Sequence, residues 1–366
     1  MIEEVNLNRD LKDIPDVSKV RARIKINDVI IDWLSFSINS TNTHAANIFT
    51  VEAPYYDQTA KDMDFILNTE SLKLEIAVDD GSGSFVRILF GYIDFEDTDL
   101  GFGHVTLSGR DLTSLLMDTK ALRSKVIANL TASELAADYA EEHQLKQDIT
   151  PTRLLIGQYD SDQHVTITGS QSEWDILCKL AQNEGYEVYV IDDTLHFKPP
   201  STTKDYYDIN WSYADESGFE ASNVLKIRVH RNYTIANDIR VRVKGWSGLN
   251  ATKYSQTVSR KHTPQRTKGR TKTQTYVIHA DGVDPDAVTR IAEAALLQLS
   301  RHEKKITLQL MGDTILTPRN IIKLTGVGNR FDQLYYPYTI TRHMSFGESF
   351  LMDVSAKNHD VNSQVV

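Results

Sequence analysis

The chain has one cysteine, Cys178, among 366 residues, so an internal disulfide is excluded and no cysteine partner is available for a zinc site. Cys178 reads as a core thiol on a helix. No run approaches the roughly 18 apolar residues of a membrane helix, and the start, MIEEVNLNRDLKD, has neither the basic end nor the apolar stretch of a leader. The expectation is a chain made and kept in cytoplasm, with no membrane partner. Positive charge is also short: 40 Lys and Arg against 50 Asp and Glu leave a net charge of −10. That balance argues against a general nucleic-acid binder, whose affinity would rest on neutralising phosphates.

Catalytic signatures are missing as well. There is no H-E-x-x-H, G-x-S-x-G or G-x-x-x-x-G-K-[ST], and the 11 histidines show no metal-ligand spacing. Gly101-Phe-Gly103 and Gly326-Val-Gly328 lack the third glycine of a dinucleotide loop. The run Asp94, Glu96, Asp97, Asp99 does not place its glycine as a calcium loop would, and reads as a solvated turn. No catalytic residue, metal or cofactor is assigned.

What is present is a composition of 40% hydrophobic and 25% charged residues, enough for two or three domains with a substantial core. The clearest stretch is 172–200. Trp174, Leu177, Leu180 and Ala181 share one helical face, with Glu173, Lys179 and Gln182 pointing elsewhere, which predicts a helix over about 173–184. Ser170 or Ser172 can cap it, with Glu173 or Asp175 as the reciprocal acid, and Gly185 supplies the left-handed stop. Residues 186–191 and 194–198 then form a hairpin about Asp192-Asp193, ended by Pro199-Pro200.

Residues 1–118 read as β: alternation over 20–31 with an Asn-Asp turn, then 34–38, 48–53, 72–78, 85–95 and 105–107, which suggests a barrel or a sandwich. Residues 119–205 are an α+β insertion, with a first helix starting at Thr131 or Ser133 and ending near His143. Residues 206–366 return to β. There 224–233 and 239–246 read as paired strands, Asp284-Pro285 starts a helix reaching about 301, and strands follow near 306–310, 321–324, 336–343 and 350–356. Arg260, Lys261, Arg266, Lys268, Arg270 and Lys272 fall within 13 residues that cannot supply a core. They stand as partner-contact candidates on a loop bounded at 249–275. Its alternatives are a plain solvated loop, a docking loop for an acidic surface, or a DNA contact.

Three motif sets resemble one family. Gly91, Tyr92, Asp94, then Gly109, Arg110, Asp111, Leu115, Leu116 and Asp118 look like its "G-[YF]-[IV]-D" strand followed by "G-R-D" and a short helix. The residues Trp174, Leu177, Leu180 and Gly185 look like its tryptophan helix. An alanine-rich helix, a strand to Gly312, "L-T-P", an aromatic strand and "T-R-H" look like its closing pattern. Arg319 departs from it, since many relatives carry glycine there. The family is that of baseplate hub proteins of contractile-tailed phages: Mu-like tail hubs, late control D proteins and the hub part of type VI secretion VgrG spikes. From the residues alone, Arg110 and Asp111 read as a local ion pair or a cap where strand becomes helix.

The resemblance implies a mainly β, α+β chain with two tube-like β-barrel domains, 1–118 and 206–366, flanking the insertion, the second interrupted by an excursion over 249–302. It implies a non-enzymatic late protein of the virion tail, assembled in the host cytoplasm. This would be a homotrimer adapting a six-fold tail tube to a three-fold central spike, contacting other baseplate proteins and meeting DNA only as cargo in the lumen. The chain ends at Val366 with no spike domain, so the spike is expected to be a separate protein. Two other classes remain open at this point: a tail-associated cell-wall hydrolase and a carbohydrate or receptor binder.

Overall fold

A computed structural model describes residues 5–6, 20–42, 44–56, 58–59, 62–81, 83–121, 129–156, 171–199, 205–211, 222–232, 239–247, 252–259, 274–279, 289, 292–293, 296, 304–328 and 330–358. It is mainly β, with 53% strand and 17% helix.

The first β region holds β1 (Val5–Asn6), β2 (Arg21–Ile26), β3 (Val29–Ile31), β4 (Ser35–Thr41), β5 (Ile48–Pro54), the short helix α1 (Met63–Leu67), β6 (Lys73–Asp79), β7 (Val86–Asp99), β8 (His104–Asp111) and α2 (Thr113–Asp118). From β2 to β8 the strands pair antiparallel in the order β4-β5-β8-β7-β6-β2-β3. Asn27 and Asp28 both take positive φ, as the two-residue turn between β2 and β3 requires. Alternate residues such as Ile24, Ile26, Phe49, Val51, Leu74, Ile76, Val105 and Leu107 fill one core.

The insertion consists of α3 (Ala132–Glu142), β9 (Lys146–Ile149), α4 (Glu173–Glu184), β10 (Glu187–Ile191) and β11 (Thr194–Lys198). Both helices begin in a full capping box, Thr131 with Glu134 and Ser172 with Asp175. Gly185 closes α4 at φ 69°. The hairpin turns at Asp192-Asp193, and β9 adds in parallel beside β11. Leu135, Ala136, Leu177, Leu180, Leu195 and Phe197 form a core that Leu112, just before α2, and Leu116 within it also enter.

The second β region contains β12 (Asp205–Asn210), β13 (Lys226–Arg231), β14 (Ile239–Ser247), β15 (Thr252–Ser259), β16 (Gln274–His279), β17 (Lys304–Met311), β18 (Ile321–Thr325), β19 (Gln333–Ser345) and β20 (Leu351–Asn358). The expected hairpin of 224–233 with 239–246 does not form. Instead β13 pairs with β17, placing Ile227 opposite Leu308 and Val229 opposite Ile306, while β14 takes β15 and β16 as partners in a separate three-stranded sheet. The span 249–275 is accordingly not all loop, since β15 lies within it. Of the helix expected after Asp284-Pro285, the described residues Thr289, Ala292, Glu293 and Leu296 are helical; its cap and its other face positions lie outside the described residues.

The two β regions are not two separate closed barrels among the described strands. Antiparallel pairing of β4 with β19, from Ser35 opposite Ser345 to Thr41 opposite Thr339, joins them into one open ladder of 14 strands. Phe350, entering β20, sits in the first region's core against Phe36, with ring centroids 6.2 Å apart. Gly312 makes room for it, because a Cβ there would lie 2.3 Å from the Phe350 ring.

Candidate functional site

The "G-[YF]-[IV]-D" and "G-R-D" residues meet across β7 and β8. Gly91 stands opposite Asp111 and Ile93 opposite Gly109. A Cβ at Gly91 would lie 2.1 Å from the Arg110 carbonyl oxygen, and one at Gly109 would lie 2.0 Å from that of Tyr92, so the close approach demands glycine at both. The Arg110 guanidinium grips two carboxylates. Its Nε and Nη2 donate to Asp94 at 2.7 and 3.0 Å, and its Nη1 and Nη2 donate to Asp118 at 3.0 and 2.8 Å. Its hydrogen bonds to Asp94 and Asp118 push the Arg110 pKa up, and the hydrogen bond from Arg110, with its charge, holds the Asp118 carboxyl below its usual range.

Asp111 is buried beside this fork and has a different task. Its carboxylate accepts from the backbone N–H groups of Thr113 at 3.0 Å and Asn47 at 3.1 Å, tying the start of α2 to the loop before β5. Burial raises its pKa against those hydrogen bonds. The arrangement is a strand-to-helix staple: the cation is neutralised by two anions, and the acid is used up on backbone donors.

Trp174 and Leu177 are buried on α4, as are Leu180 and Ala181. The Trp174 indole N–H reaches outside the insertion and donates to the His44 carbonyl at 3.1 Å. Glu173, placed off the Trp174 face, is nevertheless buried. It is 3% exposed, with its Oε2 2.7 Å from His143 Nε2 at the end of α3. An acid in the first turn of α4 faces the helix N-terminus favourably, and a histidine at the end of α3 suits that helix's negative end, so the pair satisfies both. Cys178 is half-buried, and burial pushes its thiol pKa up to about 12, which leaves it protonated and unreactive at neutral pH.

Two further contacts join the insertion to its flanks. Arg87 Nε on β7 donates to Asp192 at the hairpin tip at 2.8 Å. From the second region, the Arg319 guanidinium lies 3.5 Å from the Tyr189 ring centroid, and burial lowers its pKa. Tyr189 in turn stacks on His196, with centroids 4.6 Å apart. Arg319, noted in the sequence only as a departure from glycine, thus contacts the insertion. Arg342, the arginine of the "T-R-H" motif, is buried and donates to the carbonyls of Asp313, at 2.9 Å, and Leu316, a role the motif did not indicate. Asp313 also accepts from Tyr207 at 2.5 Å and from the N–H groups of Ile315 and Leu316, which organises the turn carrying the L-T-P residues.

The acidic run is divided between tasks. Asp94 belongs to the Arg110 fork, and Asp99 accepts from the N–H groups of Gly101 and Phe102 at 2.9 and 3.1 Å, shaping the β7–β8 tip. Among the described residues no group of three or more His, Cys, Asp or Glu could hold a metal ion, and no helix is long and apolar enough to cross a membrane. Arg260, Lys261, Arg266, Lys268, Arg270 and Lys272 lie outside the described residues.

The fold is shared with solved tail proteins. It matches the tail protein from Neisseria meningitidis MC58 at TM-score 0.67 and 16% identity, covering 93% of this chain and 96% of that one. It matches the 43 kDa tail protein of prophage MuSo2 from Shewanella oneidensis at TM-score 0.70 and 13% identity, covering 92% and 98%. The E. coli c3393 protein matches at TM-score 0.54 and 11% identity, over 92% of this chain and 77% of that one. It is described as a component of the type VI secretion system with structural similarity to the T4 bacteriophage tail proteins gp27 and gp5. No curated protein matches this chain. A family model described as the Alg8 N-terminal domain matches residues 116–345, from α2 through the insertion to the end of β19. By that span the chain belongs to the Alg8 N-terminal domain family, and its fold is one that phage tail proteins share.

Proposed function

We propose that this chain is the structural hub of a contractile tail baseplate. In this reading three copies form a ring, each supplying two tube-like β units, so that six similar units face a six-fold tail tube and a three-fold spike sits on the opposite side. The observation that carries it is the shared fold, which extends over 93% and 92% of this chain in the Neisseria and Shewanella tail proteins. The local chemistry suits a scaffold: Arg110, Asp94, Asp118 and Asp111 are engaged with one another and with the backbone. The partners are then the tail tube protein, the central spike protein and other baseplate proteins, with DNA passing through the lumen as cargo. The location is the virion tail, after assembly in the host cytoplasm, and no enzymatic step belongs to the role.

The basic residues enter as a proposed contact, with Arg266, Lys268 and Arg270 reaching an acidic surface of a neighbouring baseplate subunit. The test of the hub reading is the solution mass of the purified chain, alone and with the tube and spike proteins of the same tail, followed by negative-stain images down the axis. A ring of three copies is expected. A chain that stays monomeric with both partners present overturns the reading. For the basic residues, changing Arg266, Lys268 and Arg270 together to Ser should leave the unfolding midpoint in place and lower baseplate incorporation, with less salt sensitivity in what remains. Incorporation equal to the parent at low and high salt removes that contact.

A further inference from the structure

Among the described strands, two edges of opposite charge have no strand partner. β7 pairs with β6 only up to Tyr92, and beyond that point it has β8 on one side and, among the described strands, no partner on the other. That outer half reads Phe95-Glu-Asp-Thr-Asp99, and Phe95, Glu96, Asp97 and Asp99 are exposed. A cleft of about 430 Å³ runs along it, lined by Asp64, Phe65, Leu67 and Asn68 of the α1 segment and by Glu96. Phe95 within the strand and Phe102 at the tip are 73% and 81% exposed, which is costly for aromatic rings left in water. The second edge is β13, which pairs only with β17 among the described strands. It reads Lys226-Ile-Arg-Val-His-Arg231, with Lys226, Arg228 and His230 exposed and Leu225 exposed just before it.

We propose that the outer half of β7 in one copy adds to the β13 edge of the next copy, head to tail. An open edge is a template for another strand, and the charged side chains on it choose which one. Glu96 and, on the other face, Asp97 repel another β7 edge, and Glu96 attracts the Lys226 and Arg228 row when the two share a face, so the pairing is heterologous by charge, and such an interface closes into a ring when the rotation permits. The Phe95 ring, on the face opposite Glu96, then shares a face with Leu225, which lies opposite Lys226, and the turn brings Phe102 beside the same edge. The inference deepens the hub reading by naming the surfaces through which copies meet, and it rests on that reading only for ring closure.

The test uses the full chain with no partner present, followed by mass photometry and analytical ultracentrifugation across a dilution series at low salt. The parent should associate. Glu96→Lys with Asp97→Lys, and separately Lys226→Glu with Arg228→Glu, should each weaken association about a hundredfold, and all four changes in one chain should restore it. Phe102→Ser, at the exposed tip, serves as the second probe should a charge-reversed chain lose its folded thermal transition; it should weaken association with that transition unchanged. Association that ignores the reversals and Phe102→Ser overturns this interface and leaves the hub reading standing. So does a loss on the β7 side without one on the β13 side, or a four-fold variant no better than its halves. A parent that is monomeric throughout also overturns the interface, while the hub reading is then decided separately by the experiment with tube and spike proteins.

Discussion

The two β regions reach similar cores by different routes. In the first, β2 to β8 form a ladder whose pairings are all antiparallel and mostly between strands near in sequence. In the second, the chain leaves and returns: β12 lies parallel to β18, β13 pairs with β17 across about 70 residues, and β14 leaves for a separate sheet. The difference teaches where stability is local and where it depends on distant closure, because a non-local pair must offset the entropy of the chain it encloses. The insertion touches both through Trp174, Asp192 and Tyr189, and Phe350 carries a second-region residue into the first core.

The sharpest way to break the contrast is Phe350→Ala, which should cost about 3–5 kcal/mol as a large buried aromatic truncation. Hydrogen exchange should show faster amides in β4 and β5 as well as in β20; a loss confined to β20 would mean the cores are independent. Next comes Trp174→Ala, also expected to cost roughly 3–5 kcal/mol through lost packing. The parent should show a buried-tryptophan emission contribution that this variant lacks, and an unchanged unfolding midpoint would refute the packing. Arg342→Met should cost about 2–3 kcal/mol, because the carbonyls of Asp313 and Leu316 lose a charged donor. Its effect should appear in the second region first, read by exchange at β18 and β19.

Smaller effects sharpen the junctions. Arg319→Ala removes the cation from the Tyr189 face and should cost about 1–2 kcal/mol, with earlier loss of the insertion's protection than of either β region. Asp118→Asn should cost less than about 1 kcal/mol, since Asp118 is largely exposed and its ion pair is screened. The sign with pH follows from its lowered pKa: the contribution is present above the unfolded carboxylate value of about 3.9 and is lost as pH falls through the lower folded value. The parent's advantage over Asp118→Asn should therefore vanish under strong acid. A gap that persists there would point to packing rather than charge.

The legible parts of this molecule were those whose signal is local. The helix 173–184 with its serine cap and Gly185 stop, the Asp192-Asp193 hairpin and the Thr131 helix start all lie within a few residues of what the sequence predicts. The "G-R-D" residues were readable as a local ion pair or a cap; Arg110 pairs with Asp94 and Asp118 rather than with Asp111, and Asp111 accepts from the Thr113 N–H although the N-cap position of α2 is Leu112. Glu173 reads only as lying off the apolar face, and its burial was not legible because its partner His143 sits 30 residues away at the end of another helix. The helix α1 and the strand β9 were missed because segments of 5 and 4 residues are too short for periodicity to register.

By itself, then, the sequence determined the period of each long strand, the caps and stops of its helices, the tight turns, and the acidic and basic character of two strand edges, because each of these depends on neighbours along the chain. Only the tertiary structure decided which strand pairs with which: that β13 goes to β17 and not β14, that β4 meets β19 and joins the two regions into one ladder, and that Arg319 lies over Tyr189. The physical reason is that a period of two is the same whatever strand lies alongside. Partner choice is settled by the distant side chains that the closed chain brings into contact.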